Sequence, residues 1–193
     1  MKLRLALWLA APLGLVVLLG GTYLARLPEA VDRTMRSPCA LIGLEPVNGT
    51  MRPLSLLVAD LEGEPYPFEK LRGRFVLVNF WLTSCGPCLE ELPALIDLAS
   101  RFAARGLVLV LVATDKVVKD VQGFLDKVPR LKTLPPNAFI LSDSGGKIAR
   151  SLGTEKYPET YLINPDGSWG GRVVGARNWT ARGSVDCVLE HLP

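Results

Sequence analysis

Between positions 75 and 113 the chain reads FVLVNFW, then a loop and an amphipathic run, then LVLVLVA. Two runs this apolar suit strands buried on both faces, because a half-exposed strand would alternate polar with apolar residues. Between them Leu89, Leu92, Ile96, Ala99 and Ala103 recur at helical spacing over 88–105, and Gly106 ends the run. The pattern continues with a strand over 53–60, a turn at 62–64 and one helical turn over 69–73. An amphipathic helix follows over 117–128, turning Val117, Val121, Phe124, Leu125 and Val128 inward. A strand over 139–141 and a short helix over 147–152 come next. A hairpin then joins 160–163 to 169–174 through Asn164-Pro165-Asp166-Gly167, and a helix over 180–192 closes the chain. Strands alternating with helices predict an α/β fold, a mixed central sheet with helices on both faces.

The N-terminus is a separate unit. Residues 5–25 (LALWLAAPLGLVVLLGGTYLA) carry no charge and sit between Arg4 and Arg26. At about 1.5 Å per residue such a helix crosses a hydrocarbon core of roughly 30 Å. No small-x-small cleavage site follows, so a retained single transmembrane helix is the expectation, with a removed signal peptide as the alternative. Lys2 and Arg4 precede the span and Arg26, Arg33 and Arg36 follow it, so the positive-inside count is close to balanced. The short basic N-terminal tail resembles an export signal, and the rest of the chain is expected on the extracytoplasmic (periplasmic) side. The division is therefore an anchor over 1–26, a Pro-containing linker over 27–50 and a folded domain over 51–193. Without Lys2 and Arg4 the formal charge of +3 falls to about +1, no footprint for nucleic acid.

Chemistry concentrates at Cys85-Gly86-Pro87-Cys88, where the first apolar strand passes into the helix. Residues three apart on a helix lie about 5–6 Å apart, the Cα separation that a disulfide needs. Pro87 suits the first helical turn, where an N–H would have no partner, and Gly86 allows a tight approach. A thiolate at Cys85 faces unpaired N–H groups and the positive end of the helix dipole, so its pKa should fall. Cys85 is thus the expected attacking thiol and Cys88 the resolving one. A zinc site lacks ligands, since there is no second C-x-x-C and the single histidine, His191, lies far along the chain. A purely structural bridge over two residues would constrain the unfolded chain little. No resident cofactor or metal is expected.

The segment Val78-Asn79-Phe80-Trp81, the Cys-Gly-Pro-Cys motif, Pro93 and Tyr157-Pro158-Glu159-Thr160 together resemble the thioredoxin family. The resemblance covers about residue 52 to the end. With the N-terminal strand extension and anchor, it is most similar to the membrane-tethered extracytoplasmic group of TlpA, ResA and CcmG type. It implies a thioredoxin-like fold, with Pro93 inside the active-site helix and Pro158 as a cis-proline. Tyr157, Pro158 and Thr160 would line the groove for a bound polypeptide, while Trp81 and Asn79 support the site. It further implies protein substrates with disulfides, apocytochrome c being one candidate in cytochrome c maturation, and recharging by a membrane electron donor of DsbD or CcdA type. Asn79 stands where thioredoxin has a buried aspartate, which leaves the proton acceptor for Cys88 open. Asp115 is the nearest acidic candidate, with a solvated loop position as its plainer reading. Glu90 and Glu91 are expected in the first helical turn, favouring the helix dipole. Ser84 replaces the usual tryptophan before the first cysteine.

If Cys85 pairs with Cys88, then Cys39 and Cys187 form a structural disulfide, remain separate thiols or link to another molecule. His191 is expected at the surface. The expected activity is thiol–disulfide exchange in the reducing direction. Oxidase or isomerase activity, a thiol peroxidase and a Cu(I)-handling module of the same fold are the alternatives.

Overall fold

The computed structural model describes residues 37–47 and 52–192. The predicted anchor over 5–25 lies outside the described residues, and among those described no helix is long and apolar enough to cross a membrane. In chain order the elements are α1 (Pro38–Leu41), β1 (Leu44–Glu45), β2 (Leu57–Ala59), β3 (Pro65–Pro67), β4 (Phe75–Trp81), α2 (Gly86–Phe102) and β5 (Leu107–Ala113). There follow α3 (Val118–Leu125), α4 (Pro129–Lys132), β6 (Ala138–Ser142), α5 (Lys147–Ser151), β7 (Glu159–Ile163), β8 (Trp169–Val174) and α6 (Arg182–His191).

One eight-stranded sheet runs in the order β1-β8-β7-β4-β5-β6-β2-β3. β4, β5 and β6 are parallel neighbours, and β7 lies antiparallel against β4. Every residue of β4 and β5 is buried, as their unbroken apolar runs require. The alternating side chains of these strands divide two cores. Leu77, Leu109 and Leu111 pack with α2 and α6 on one face, and Val76, Val78, Val110 and Tyr161 fill the other.

Three expectations change. Residues 37–47, read as linker, join the domain: β1 pairs with β8, and Arg172 reaches from β8 to both Glu45 and Glu159. A strand this short has no hydrophobic period, so sequence alone does not reveal it. The strand expected over 53–60 shrinks to 57–59, because Pro53 opens a 3₁₀ turn over Pro53–Ser55. Val117 caps α3 and is exposed instead of facing inward.

Gly171 makes the β1–β8 contact feasible. Its φ is +139°, and a Cβ there would lie 2.8 Å from the Leu44 side chain and 2.9 Å from the Glu45 carbonyl. Gly171→Ala is expected to cost roughly 2–3 kcal/mol through strain and clash, read as a lowered Tm with β1 amides exchanging faster.

Candidate active site at the Cys85–Cys88 pair

β4 ends at Trp81, and four residues, the last of them Cys85, carry the chain to α2. Cys85 caps that helix: its Sγ accepts the Cys88 N–H at 3.2 Å. A negative charge on this sulfur would sit at the positive end of a long helix, which favours the thiolate. Cys85 and Cys88 form a disulfide with Cα atoms 5.3 Å apart. The two sulfurs differ in access, for Cys85 is half-buried while Cys88 is 0% exposed. Gly86 and Pro87 are exposed beside them, so one sulfur can meet an incoming chain and the other cannot.

Beneath Cys88 lies a polar cluster that the sequence does not announce. Glu91 follows Cys88 by three positions and is 4% exposed. Its carboxylate accepts from Asn79 Nδ2 at 2.7 Å, from the Arg177 N–H at 2.9 Å and from Trp179 Nε1 at 3.2 Å. Burial still pushes its pKa above the usual carboxylate range, against the pull of those three donors. No acidic residue stands in the first turn of α2, so the expectation that Glu90 and Glu91 serve the helix dipole does not hold. Glu91 was recognisable in principle. It shares its helical stripe with Cys88, Leu92, Leu95 and Ala99, all buried, and a carboxylate on such a stripe needs a reason.

Asn79 connects this cluster to the opposite strand. Its Nδ2 also donates to Thr160 Oγ1 at 3.0 Å, and Asn79 and Thr160 are register partners. Thr160 is 2% exposed, so it supports the site from within the sheet and does not line a groove. The Tyr157–Pro158 bond is cis. Pro158 is buried, its carbonyl accepts from the Gly175 N–H, and the half-buried Tyr157 packs against both cores. Trp81 is fully buried with its ring 5.9 Å from that of Phe124. Pro93 lies inside α2, where its missing N–H interrupts the ladder and leaves the Leu89 carbonyl without its helical partner.

Asp115 is a half-buried loop carboxylate held by Thr83. Oδ1 accepts the Thr83 hydroxyl at 2.6 Å, and Oδ2 accepts the Thr83 N–H at 3.2 Å. It braces the loop leading into Cys85. Two hollows flank the first turns of α2. One, of about 530 Å³, is polar and lined by Glu90, Glu91, Pro93, Arg177 and Asn178. The other, of about 250 Å³, is apolar and lined by Leu89, Ile96, Phe124 and Leu131.

Cys39 and Cys187 form a second disulfide, both residues buried. His191 is half-buried instead of free at the surface. Its ring stacks on Phe75 at 4.9 Å, and burial lowers its pKa.

A mixed sheet, a cysteine pair at the head of a helix packed on it and a cis-proline mark the chain as a thioredoxin-like protein. Solved structures agree on the fold. A secreted Mycobacterium tuberculosis disulfide oxidoreductase, homologous to E. coli DsbE, superposes with a TM-score of 0.56 at 22% identity. That match covers 71% of this chain and 97% of the other. StoA from Bacillus subtilis gives a TM-score of 0.52 at 23% identity over 65% of this chain and 90% of StoA. The chain belongs to the AhpC/TSA family, whose model matches residues 50–168. Among curated relatives, the thiol-disulfide oxidoreductase ResA of Bacillus thuringiensis is 31% identical over 121 residues, covering 63% of this chain and 66% of that protein. ResA of Bacillus subtilis is 26% identical over 113 residues, covering 58% of this chain and 60% of the relative. The chain thus spans less than two thirds of the length of these relatives.

Proposed function

We propose that the protein is a thiol–disulfide oxidoreductase that reduces disulfides of extracytoplasmic proteins, held at the membrane by residues 5–25. The single observation that carries this reading is the unequal burial of the two sulfurs at the head of α2, Cys85 reachable and Cys88 sealed. In the reduced protein the Cys85 thiolate attacks a partner disulfide. A Cys85–partner S–S bond forms, the partner's own S–S bond breaks, and one partner sulfur leaves as thiolate. Cys88 then loses its proton and attacks Cys85 Sγ. The second partner sulfur leaves, and two electrons have passed from the Cys85–Cys88 pair to the partner. The half-buried Tyr157 is the proposed border of the approach to Cys85, with the buried cis Pro158 setting its backbone.

Glu91 is the group placed to take the Cys88 proton. It is buried on the same helical face and has a raised pKa, and Asn79, Arg177 and Trp179 fix its orientation. Glu91→Gln is expected to slow resolution of the mixed disulfide by about 10²-fold and to remove one ionisation from the pH–rate profile. Stopped-flow measurements across pH would show it. A resolution rate and profile matching the parent protein would exclude the role. The same shift has a stability sign. A raised folded-state pKa means that stability from this group is complete below its ordinary 4.5 and fades as pH climbs through the folded value. Chemical denaturation of parent and variant across that window should therefore diverge in slope.

The names of the ResA relatives support the reaction class. Apocytochrome c, with its paired cysteines, is the proposed substrate, and a membrane dithiol carrier of DsbD or CcdA type the proposed source of electrons. The extracytoplasmic placement rests on the short basic tail before the apolar span, which resembles an export signal, since Arg26, Arg33 and Arg36 after the span balance Lys2 and Arg4. Direction is tested by equilibrating the Cys85–Cys88 pair with glutathione buffers. A reductase should titrate near the thioredoxin end of a span of roughly −270 to −120 mV, and a value at the DsbA end would make the protein an oxidase.

A further inference from the structure

The second cysteine pair has a neighbour that its sequence position hides. His191 ends α6, and its Nε2 lies 3.7 Å from Cys39 Sγ. Nε2 or Nδ1 of His191 and the sulfurs of Cys39 and Cys187 form the one group among the described residues with metal-ligand potential, their atoms all within 4.8 Å of one another. Two sulfurs and an imidazole nitrogen therefore meet at one point, brought there from the two ends of the domain.

The imidazole is also set in the orientation a ligand requires. Asp166 Oδ1 accepts from Ser168 Oγ at 2.7 Å, so that hydroxyl has spent its proton and must accept from Asn164 Nδ2 at 3.0 Å. Asn164 Oδ1 then faces His191 Nδ1 at 3.0 Å, and Nδ1 must be the donor. In a neutral ring the lone pair is left on Nε2, the nitrogen turned toward sulfur. Metal-bound histidines are commonly oriented in this way, by a hydrogen bond from the other ring nitrogen to an oxygen.

We propose that reduction of the Cys39–Cys187 disulfide converts this cluster into a three-coordinate Cu(I) site formed by Cys39, Cys187 and His191. The reductant is a small-molecule dithiol, which reaches the buried bond when the four-residue α1 opens. It passes two electrons and two protons to the disulfide, the Cys39–Cys187 bond breaks, two thiols form, and the dithiol becomes a disulfide. Cu(I) then displaces both thiol protons and takes the Nε2 lone pair. No redox change occurs at the metal.

Geometry favours this. With bonds of roughly 2.3 and 2.0 Å, the lengths zinc makes to sulfur and imidazole, donors about 120° apart on one metal lie about 3.7 Å from each other, and Nε2 already stands at 3.7 Å from Cys39 Sγ. The sulfurs must separate from bonding distance, and α1 can yield. It has four residues, of which Cys39 alone is buried. Two thiolates and an imidazole with no carboxylate among them suit Cu(I), which accepts three ligands, whereas zinc on the same set would add a water as its fourth. The site is distinct from Cys85–Cys88, and it survives even if the proposed exchange activity fails.

The test uses the full chain with Cys85→Ser and Cys88→Ser, so that the first dithiol cannot hold metal. After reduction with a phosphine, alkylation and mass spectrometry count the thiols, and circular dichroism checks the fold. Anaerobic titration with Cu(I) against a chromogenic chelator should show one Cu(I) per reduced chain and none in the oxidised chain. X-ray absorption should report two sulfurs and one nitrogen. Adding His191→Ala should weaken binding more than tenfold. Adding Asn164→Ala, which leaves all three ligands in place, should weaken it by about tenfold. The proposal is overturned if the folded protein resists reduction at Cys39–Cys187 or if the reduced protein takes up no Cu(I). It also fails if both variants bind as tightly as their parent, or if Zn(II) displaces Cu(I).

Discussion

Cys88→Ser is expected to arrest the protein as a mixed disulfide through Cys85, while Cys85→Ser yields no adduct at all. The asymmetry follows from burial. Cys88 has no exposed surface, so with Cys85 gone the remaining thiol cannot meet a partner's disulfide. With Cys88 gone, Cys85 still attacks, but nothing expels the second partner sulfur. Turnover should fall at least roughly 10³-fold in both variants, as expected for loss of a reacting group. Non-reducing electrophoresis and mass spectrometry of protein taken from cells would identify the adduct. Equal trapping by the two variants would mean that the sulfurs are interchangeable, and the reading given above would fall.

Removing the Cys39–Cys187 bridge should produce the largest change in stability. The bond closes a separation of 148 residues, which in the chain-entropy model is worth about 4–5 kcal/mol. Breaking Cys85–Cys88, with a separation of 3, should cost roughly 2 kcal/mol in the same model. Urea unfolding of Cys39→Ala/Cys187→Ala beside Cys85→Ala/Cys88→Ala separates the two. If the second pair costs as much as the first, the entropic account of the bridge is wrong. The long bridge ties α1 to α6, so its loss should also speed amide exchange in 38–45 before the rest of the domain responds.

Much of the fold was legible because burial and periodicity coincided. β4, β5 and β8 begin and end where their apolar and turn residues suggest. The CGPC pair fell at the head of a helix because Pro87 and the stripe from Leu89 onward require one there. The cis bond at Pro158 followed from resemblance, since no local pattern distinguishes it. What escaped were contacts made across the sheet or between chain ends. Asn79 and Glu91 meet because strand and helix face each other, which neither residue's neighbours declare. His191 looked like a surface residue because position along a helix says nothing about a ring stacked on a strand residue such as Phe75. β1 was invisible because it has two residues and owes its place to Gly171, Arg172 and a distant sulfur.

The sealing of Cys88 beneath a single accessible sulfur reaches beyond one reaction cycle. Any molecule that supplies electrons to this pair must use the same doorway as the molecule that takes them. Supplier and recipient must therefore queue, the first departing before the second arrives, and a surplus of either would hold up the other.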